Sequence, residues 1–161
     1  MLNLDKKNFF RITFLVSLFA LIFAYFVEYV LGYQPCNLCL IERIPYMLAL
    51  IIIIIDYKFN SLEKYLILLL VFVFLAGTFI SLYHLGIEQG FIEESLVCDL
   101  KNSSKILTKE EILKQLQEKT VSCKDVTFKI FGFSLTTLNL IISLLITIIF
   151  TKIYLGYEKN K

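Results

Sequence analysis

Residues 35–56 read PCNLCLIERIPYMLALIIIIID, and the point where a helix begins in this stretch decides the fold. A helix starting after Pro45 would have only about ten apolar residues before Asp56, whereas a membrane crossing needs roughly 20. The helix is therefore expected to start near Cys39 and to carry Pro45 as a kink inside its first turns.

Outward from this span, three other stretches are long enough to cross. The four are placed at about 9–32, 39–55, 65–84 and 133–155. The chain of 161 residues is 58% hydrophobic and only 19% charged, far more apolar than a soluble domain of this size. The expected architecture is an all-α membrane protein. It is read as a single membrane domain over 1–161, a four-transmembrane-helix bundle with one long extracytoplasmic loop at about 85–132, between helices 3 and 4. Lys6, Lys7 and Arg11 precede the first span as they would in a secretory signal. Its apolar run is too long for such a signal and no clear small-residue cleavage site follows, so it is read as a retained helix.

Four crossings put both termini and the connection from Asp56 to Lys64 on one face, with the two cysteine-bearing loops on the other. Lysine and arginine near the helix ends lean weakly toward cytoplasmic termini, because the long loop carries seven lysines of its own from Lys101 to Lys129. Paired thiols persist as disulfides only outside a reducing cytosol, which favours cysteines facing an oxidising compartment. A net charge of +2 with no basic stripe gives no reason to expect nucleic acid.

In the long loop, residues 108–119 read TKEEILKQLQEK, with Thr108 and Glu111 at capping-box spacing and Ile112, Leu113 and Leu116 on one face. This predicts a short amphipathic helix, either on the membrane surface or solvated in the loop. Gly77 and Ser81 form a small-xxx-small pair, and Thr136, Thr137 and Asn139 are expected to hydrogen-bond across helices as packing devices.

The chemistry is expected from cysteine. A Cys-x-x-Cys at a helix start gains from exposed N–H groups that stabilise a thiolate, the form that attacks disulfides. Arg43 follows Cys39 by four residues, so on a continuous helix its cation shares that face. Cys36 and Cys39 are close enough in sequence to bridge, and Cys98 with Cys123 would close a loop of about 26 residues, as either a labile bridge or a staple. Zinc is not expected, since Cys98 and Cys123 do not make a second closely spaced knuckle. His84, the one histidine, falls at the outer end of the third span, either as an interfacial anchor or as a proton or ligand site. Glu28 is read as a snorkelling interfacial residue.

PCNLCLIER, the IPY after it, the YH pair ending the third span, and the late VCD and SCKD cysteines before FGFS together resemble the DsbB family, over nearly the whole chain. The resemblance implies a bacterial inner-membrane, disulfide-generating oxidoreductase that reoxidises a periplasmic DsbA-type thiol oxidase and hands the electrons to a quinone, ubiquinone or menaquinone. It implies that Cys98 takes the mixed disulfide with Cys123 as its partner, that Cys123 exchanges with Cys36, and that Cys39 faces the quinone. It further implies a quinone site containing Cys39, Arg43 and His84. Partners would be the thiol oxidase and membrane lipid, with no metal.

Two rivals stand beside this reading. A vitamin K epoxide reductase-like quinone reductase would carry its Cys-x-x-Cys late and its separated pair early, the reverse of the order here. A non-catalytic scaffold with two structural disulfides would resist mild reductant.

Overall fold

The computed structural model describes residues 6–58, 63–93, 98, 122–124, 129–130 and 132–159. Their elements, in chain order, are helices α1 (Lys6–Tyr29), α2 (Asn37–Ile41), α3 (Ile44–Lys58) and α4 (Glu63–Glu88), strands β1 (Lys129–Ile130) and β2 (Phe133–Ser134), and helix α5 (Leu135–Lys159). The segment at 108–119, expected to be amphipathic, lies outside the described residues. Helices α2 and α3 together make one crossing, so four segments are long and apolar enough to span: Lys7–Tyr29, Asn37–Lys58, Glu63–Glu88 and Leu135–Gly156. The protein is a multi-pass, four-helix membrane bundle. The isoleucine run at 51–55 would suit a strand in water, but lipid offers no partner for backbone polar groups, and helix satisfies them within the segment.

The second span corrects the expectation drawn from Pro45. It begins at Asn37, and it is two helices rather than one kinked helix: α2 ends at Ile41, Glu42 and Arg43 form a turn, and α3 restarts at Ile44. Proline lacks the N–H that would continue the ladder, and its ring crowds the carbonyl four residues back. The Arg43 N–H takes the closer Leu40 carbonyl at 3.2 Å, and the Met47 N–H to the Arg43 carbonyl at 3.1 Å starts the ladder again. Two charged residues, Glu42 and Arg43, occupy the break.

Helix α4 packs along α5, and α3 lies against both α4 and α1. Their shared core includes Tyr46, Ile67, Leu70, Phe74 and Phe150. A Cβ on Gly77 would sit 3.1 Å from the Pro45 Cγ, so glycine is what lets α3 and α4 close. Helices α1 and α5 meet edge to face through Phe10 and Phe150, with ring centroids 5.4 Å apart. Outward-facing Leu15, Phe19, Ile51, Phe72, Phe79 and Leu145 are each more than half exposed, the pattern of a surface solvated by lipid rather than water.

Two ends differ from the sequence expectation in ways that build the site. Helix α4 runs one turn past His84 and so delivers Glu88. Helix α5 starts at Leu135 because Phe133 and Ser134 pair antiparallel with Ile130 and Lys129, across a turn containing Gly132 at φ +87°. Ser134 then caps α5, accepting the Thr137 N–H at 3.2 Å.

Candidate functional site

All four cysteines, each a free thiol, gather at one end of the bundle. Cys36 and Cys123 are buried with Leu38 and Ile87, and Cys39 and Cys98 pack against that cluster. Cys36 precedes α2 with extended backbone, and its Sγ accepts the Cys39 N–H at 3.2 Å. The helix-start hydrogen bond therefore belongs to Cys36, three residues earlier than the sequence reading placed the helix end. It does not leave an acidic thiol: the hydrogen bond with the Cys39 side chain and burial push Cys36 above the ordinary thiol range, against an opposing pull from His84. The Cys36 and Cys39 sulfurs lie 2.7 Å apart, so they can join without backbone movement.

The other pair is drawn onto the same spot. Asn37 Nδ2 donates to the Cys98 carbonyl at 3.0 Å, fixing that point of the loop to the start of α2. Burial pushes the Cys123 thiol up, a hydrogen bond with Cys98 adds to it, and the backbone N–H of Leu38 works the other way. Cys123 is close enough to Cys36 for the charge of Cys36 to disfavour its ionisation.

Cys36, Cys39 and His84 bring one donor atom each within 4.8 Å of one another. Tetrahedral zinc at about 2.3 Å from each sulfur holds two sulfurs roughly 3.8 Å apart. The two thiols here are about 1 Å closer than that. The arrangement suits a bond between them better than a metal.

His84 is only 1% exposed and is no interfacial anchor. Its Nε2 lies 3.5 Å from the Cys36 Sγ, and its Nδ1 lies 2.9 Å from Glu42 Oε1 and 3.2 Å from Thr136 Oγ1. Glu42, Glu88, Thr136 and Asn139 were not singled out from sequence as site residues. Thr136 donates to Glu88 Oε1 at 2.6 Å, and Ser134 donates to Glu88 Oε2 at 2.6 Å. Asn139 Nδ2 donates to Glu42 Oε2 at 2.9 Å and to Ser81 Oγ at 2.8 Å, while its Oδ1 accepts from Tyr46. Thr136 and Asn139 thus hydrogen-bond across helices as expected, whereas Thr137 bonds locally at the α5 cap. An available signal was Glu88 one turn beyond His84, an ionisable residue at the end of an apolar span.

Arg43 does not continue a helix face from Cys39, because the chain breaks between them. It pairs with Glu28 of α1 at 2.5 Å and stands 5.0 Å from the ring centre of Tyr25. Glu28 is therefore a counter-ion, not a snorkelling residue. These groups rim a cavity of about 940 Å³ whose walls are α1 and α5, from Ile12 and Leu145 at one end to Cys39, Arg43, His84 and Cys123 at the other. Its size lies within the usual range for a small-molecule site, and its walls are apolar with polar groups at one end. A flat hydrophobic ligand with a polar head fits that chemistry.

Comparison with known proteins agrees with the sulfur geometry. The family model described as disulfide bond formation protein DsbB matches residues 6–153. An uncharacterized protein of Rickettsia prowazekii (strain Madrid E) is 31% identical over 169 residues, covering 99% of this chain and 95% of that protein. Since the match runs from the first residue of α1 into the last turns of α5 and takes in every cysteine, the chain belongs to the DsbB family of disulfide bond formation proteins.

Proposed function

We propose that this protein draws electrons from the dithiol of a DsbA-type thiol oxidase and passes them through Cys98 and Cys123, then Cys36 and Cys39, to a quinone in the α1–α5 cleft. The supporting observation is that two cysteine pairs far apart in sequence share one partly buried nest at one end of an apolar cavity. The proposed setting is a bacterial inner membrane with both termini cytoplasmic and the cysteine end periplasmic.

A partner thiolate attacks Cys98 of a Cys98–Cys123 disulfide. The bond from partner to Cys98 forms, the old bond breaks, and the electron pair leaves on Cys123. Cys123 then attacks Cys36 of the Cys36–Cys39 disulfide, leaving Cys39 as thiolate on the cleft wall. The partner's second thiolate displaces Cys98, and Cys98 returns to Cys123, which releases Cys36. A quinone bound in the cleft supplies the acceptor for the two electrons and two protons given up as Cys36 and Cys39 close their disulfide. Cys39, Arg43 and His84 would hold the head of that group, with Arg43 offering a fixed cation where negative charge develops. Apolar side chains of α1 and α5 would hold its tail and exclude water, and nothing in such walls separates ubiquinone from menaquinone.

The test is quinone reduction by the purified protein with a reduced DsbA-type oxidase as donor, in wild type and in Cys39→Ser and Cys98→Ser. The expected result is turnover in wild type and a loss of at least about a thousandfold, roughly 4 kcal/mol, in each variant. Normal turnover in either variant, or none in quinone-loaded wild type, overturns the reading.

A further inference from the structure

We propose that His84, clamped between Glu42 and Glu88, is the proton acceptor and donor of Cys36. It takes the thiol proton when Cys36 becomes a nucleophile and returns it when Cys36 departs from a disulfide. The inference rests on the thiol exchange proposed above and assigns the histidine to a sulfur rather than to the cleft's ligand alone.

The hydrogen bonds determine which ring nitrogen is free. Nδ1 faces the Glu42 carboxylate, which can only accept. It also faces Thr136 Oγ1, whose single hydrogen is given to Glu88, so this oxygen too can only accept. The proton of a neutral ring therefore sits on Nδ1, and the Nε2 lone pair is left toward the Cys36 sulfur at 3.5 Å. No other orientation of the proton satisfies both oxygens.

The surroundings suit a ring that gains charge. All four carboxylate oxygens of Glu42 and Glu88 have a donor: His84 and Asn139 for Glu42, Thr136 and Ser134 for Glu88. Asn139 is itself oriented by Ser81 and Tyr46, so the acceptor set is rigid. Two carboxylates then balance one imidazolium, with Glu88 Oε1 at 3.9 Å from Nε2. Among the described residues, the other charged or titratable groups nearby are Cys39 and Cys123 against Cys36, Tyr83 packed against the cysteine cluster, Tyr46 beside Glu42, and Arg43, whose charge is answered by Glu28. Cys36 and His84 are both buried, so bulk water is a poor proton carrier here. The Cys36 thiol is also held above its ordinary range by Cys39 and burial, which makes a local base necessary at neutral pH.

The step balances: Cys36–SH and neutral His84 give the Cys36 thiolate and the imidazolium, with no change in electrons. When Cys98 attacks Cys123 of a Cys36–Cys123 disulfide, the sulfur–sulfur bond breaks, the electron pair leaves on Cys36, and the imidazolium proton meets it. His84 touches the reacting sulfur, whereas Glu42 and Glu88 are positioning residues.

The experiment is the pH dependence of Cys36 alkylation by iodoacetamide in a Cys39→Ser, Cys98→Ser, Cys123→Ser background, which needs neither quinone nor partner. With His84→Gln, the rate–pH profile is expected to move up by at least one unit, about tenfold slower at pH 7. Glu88→Gln should give a smaller shift in the same direction. An unchanged profile in His84→Gln overturns the proposal. If that variant fails to fold, Glu88→Gln and Glu42→Gln decide: an upward shift in either supports the relay, and unchanged profiles in both overturn it. A wild-type protein that fails to reduce quinone, while the Cys36 profile still shifts upward in His84→Gln, would count against the electron path and leave this proton path standing.

Discussion

On its α4 side, helix α5 is stitched by part-buried hydrogen bonds from Thr136 to Glu88 and from Asn139 to Ser81. On its α1 side it touches at Phe10 and Phe150 and then parts to leave the cleft. The same helix thus offers one closed flank and one open flank. The closed flank holds charge still, since every carboxylate oxygen of Glu42 and Glu88 is answered. The open flank offers apolar surface that the chain itself does not fill. A bundle in lipid gains little from squeezing apolar faces together, because lipid tails are as apolar as leucine. Polar bonds, small residues and ring contacts decide which helices close, and their scarcity between α1 and α5 leaves room for a ligand.

This contrast can be broken by substitution. Phe150→Ala removes the contact that pins α1 to α5 and is expected to cost about 3–5 kcal/mol of stability, read from unfolding in detergent. A cost below 1 kcal/mol would mean that the two helices are held together elsewhere. Gly77→Leu should force α3 and α4 apart, since even a Cβ there meets Pro45 at 3.1 Å, at about 1–3 kcal/mol. Asn139→Leu leaves a Glu42 oxygen without its donor, at about 1–3 kcal/mol. Leu145→Ala, on the open flank and 53% exposed, should change stability by only about 0.5 kcal/mol while weakening retention of a bound quinone. Equal costs for Asn139→Leu and Leu145→Ala would erase the distinction between the flanks.

Much of the fold was legible because a membrane crossing is a local property. Four apolar runs near 20 residues suffice to name it, and Pro45 forced attention to the second. Its outcome, a break at Glu42 and Arg43, was not legible, because a kink and a restart differ only in whether the turn finds other hydrogen bonds. The four cysteines were legible as chemistry but not as one nest. Cys123 reaches Cys36 through contacts with Leu38 and Ile87, which no spacing encodes. Glu28 and Arg43 showed opposite charges at the cysteine ends of two different spans, a pattern from which an ion pair could have been drawn. Glu88 was missed because the third span was ended one turn early, at His84.

A further effect concerns pH. Cys36 and Cys123 both have folded-state values raised above the ordinary 9.0, so folding favours their protonated forms. That stability is fully present below the unfolded value and is lost as pH rises past it, since the unfolded chain releases protons the folded chain keeps. The reduced protein should therefore lose stability between pH 8 and pH 10 relative to the oxidised protein. An identical pH dependence for the two would contradict the burial of these thiols.

Whether both cysteine pairs form one exchange unit is tested most simply by disulfide mapping by mass spectrometry in a Cys39→Ser, Cys98→Ser double variant purified without reductant. A Cys36–Cys123 disulfide is expected in most molecules. Two free thiols that stay unjoined under mild oxidant would contradict it.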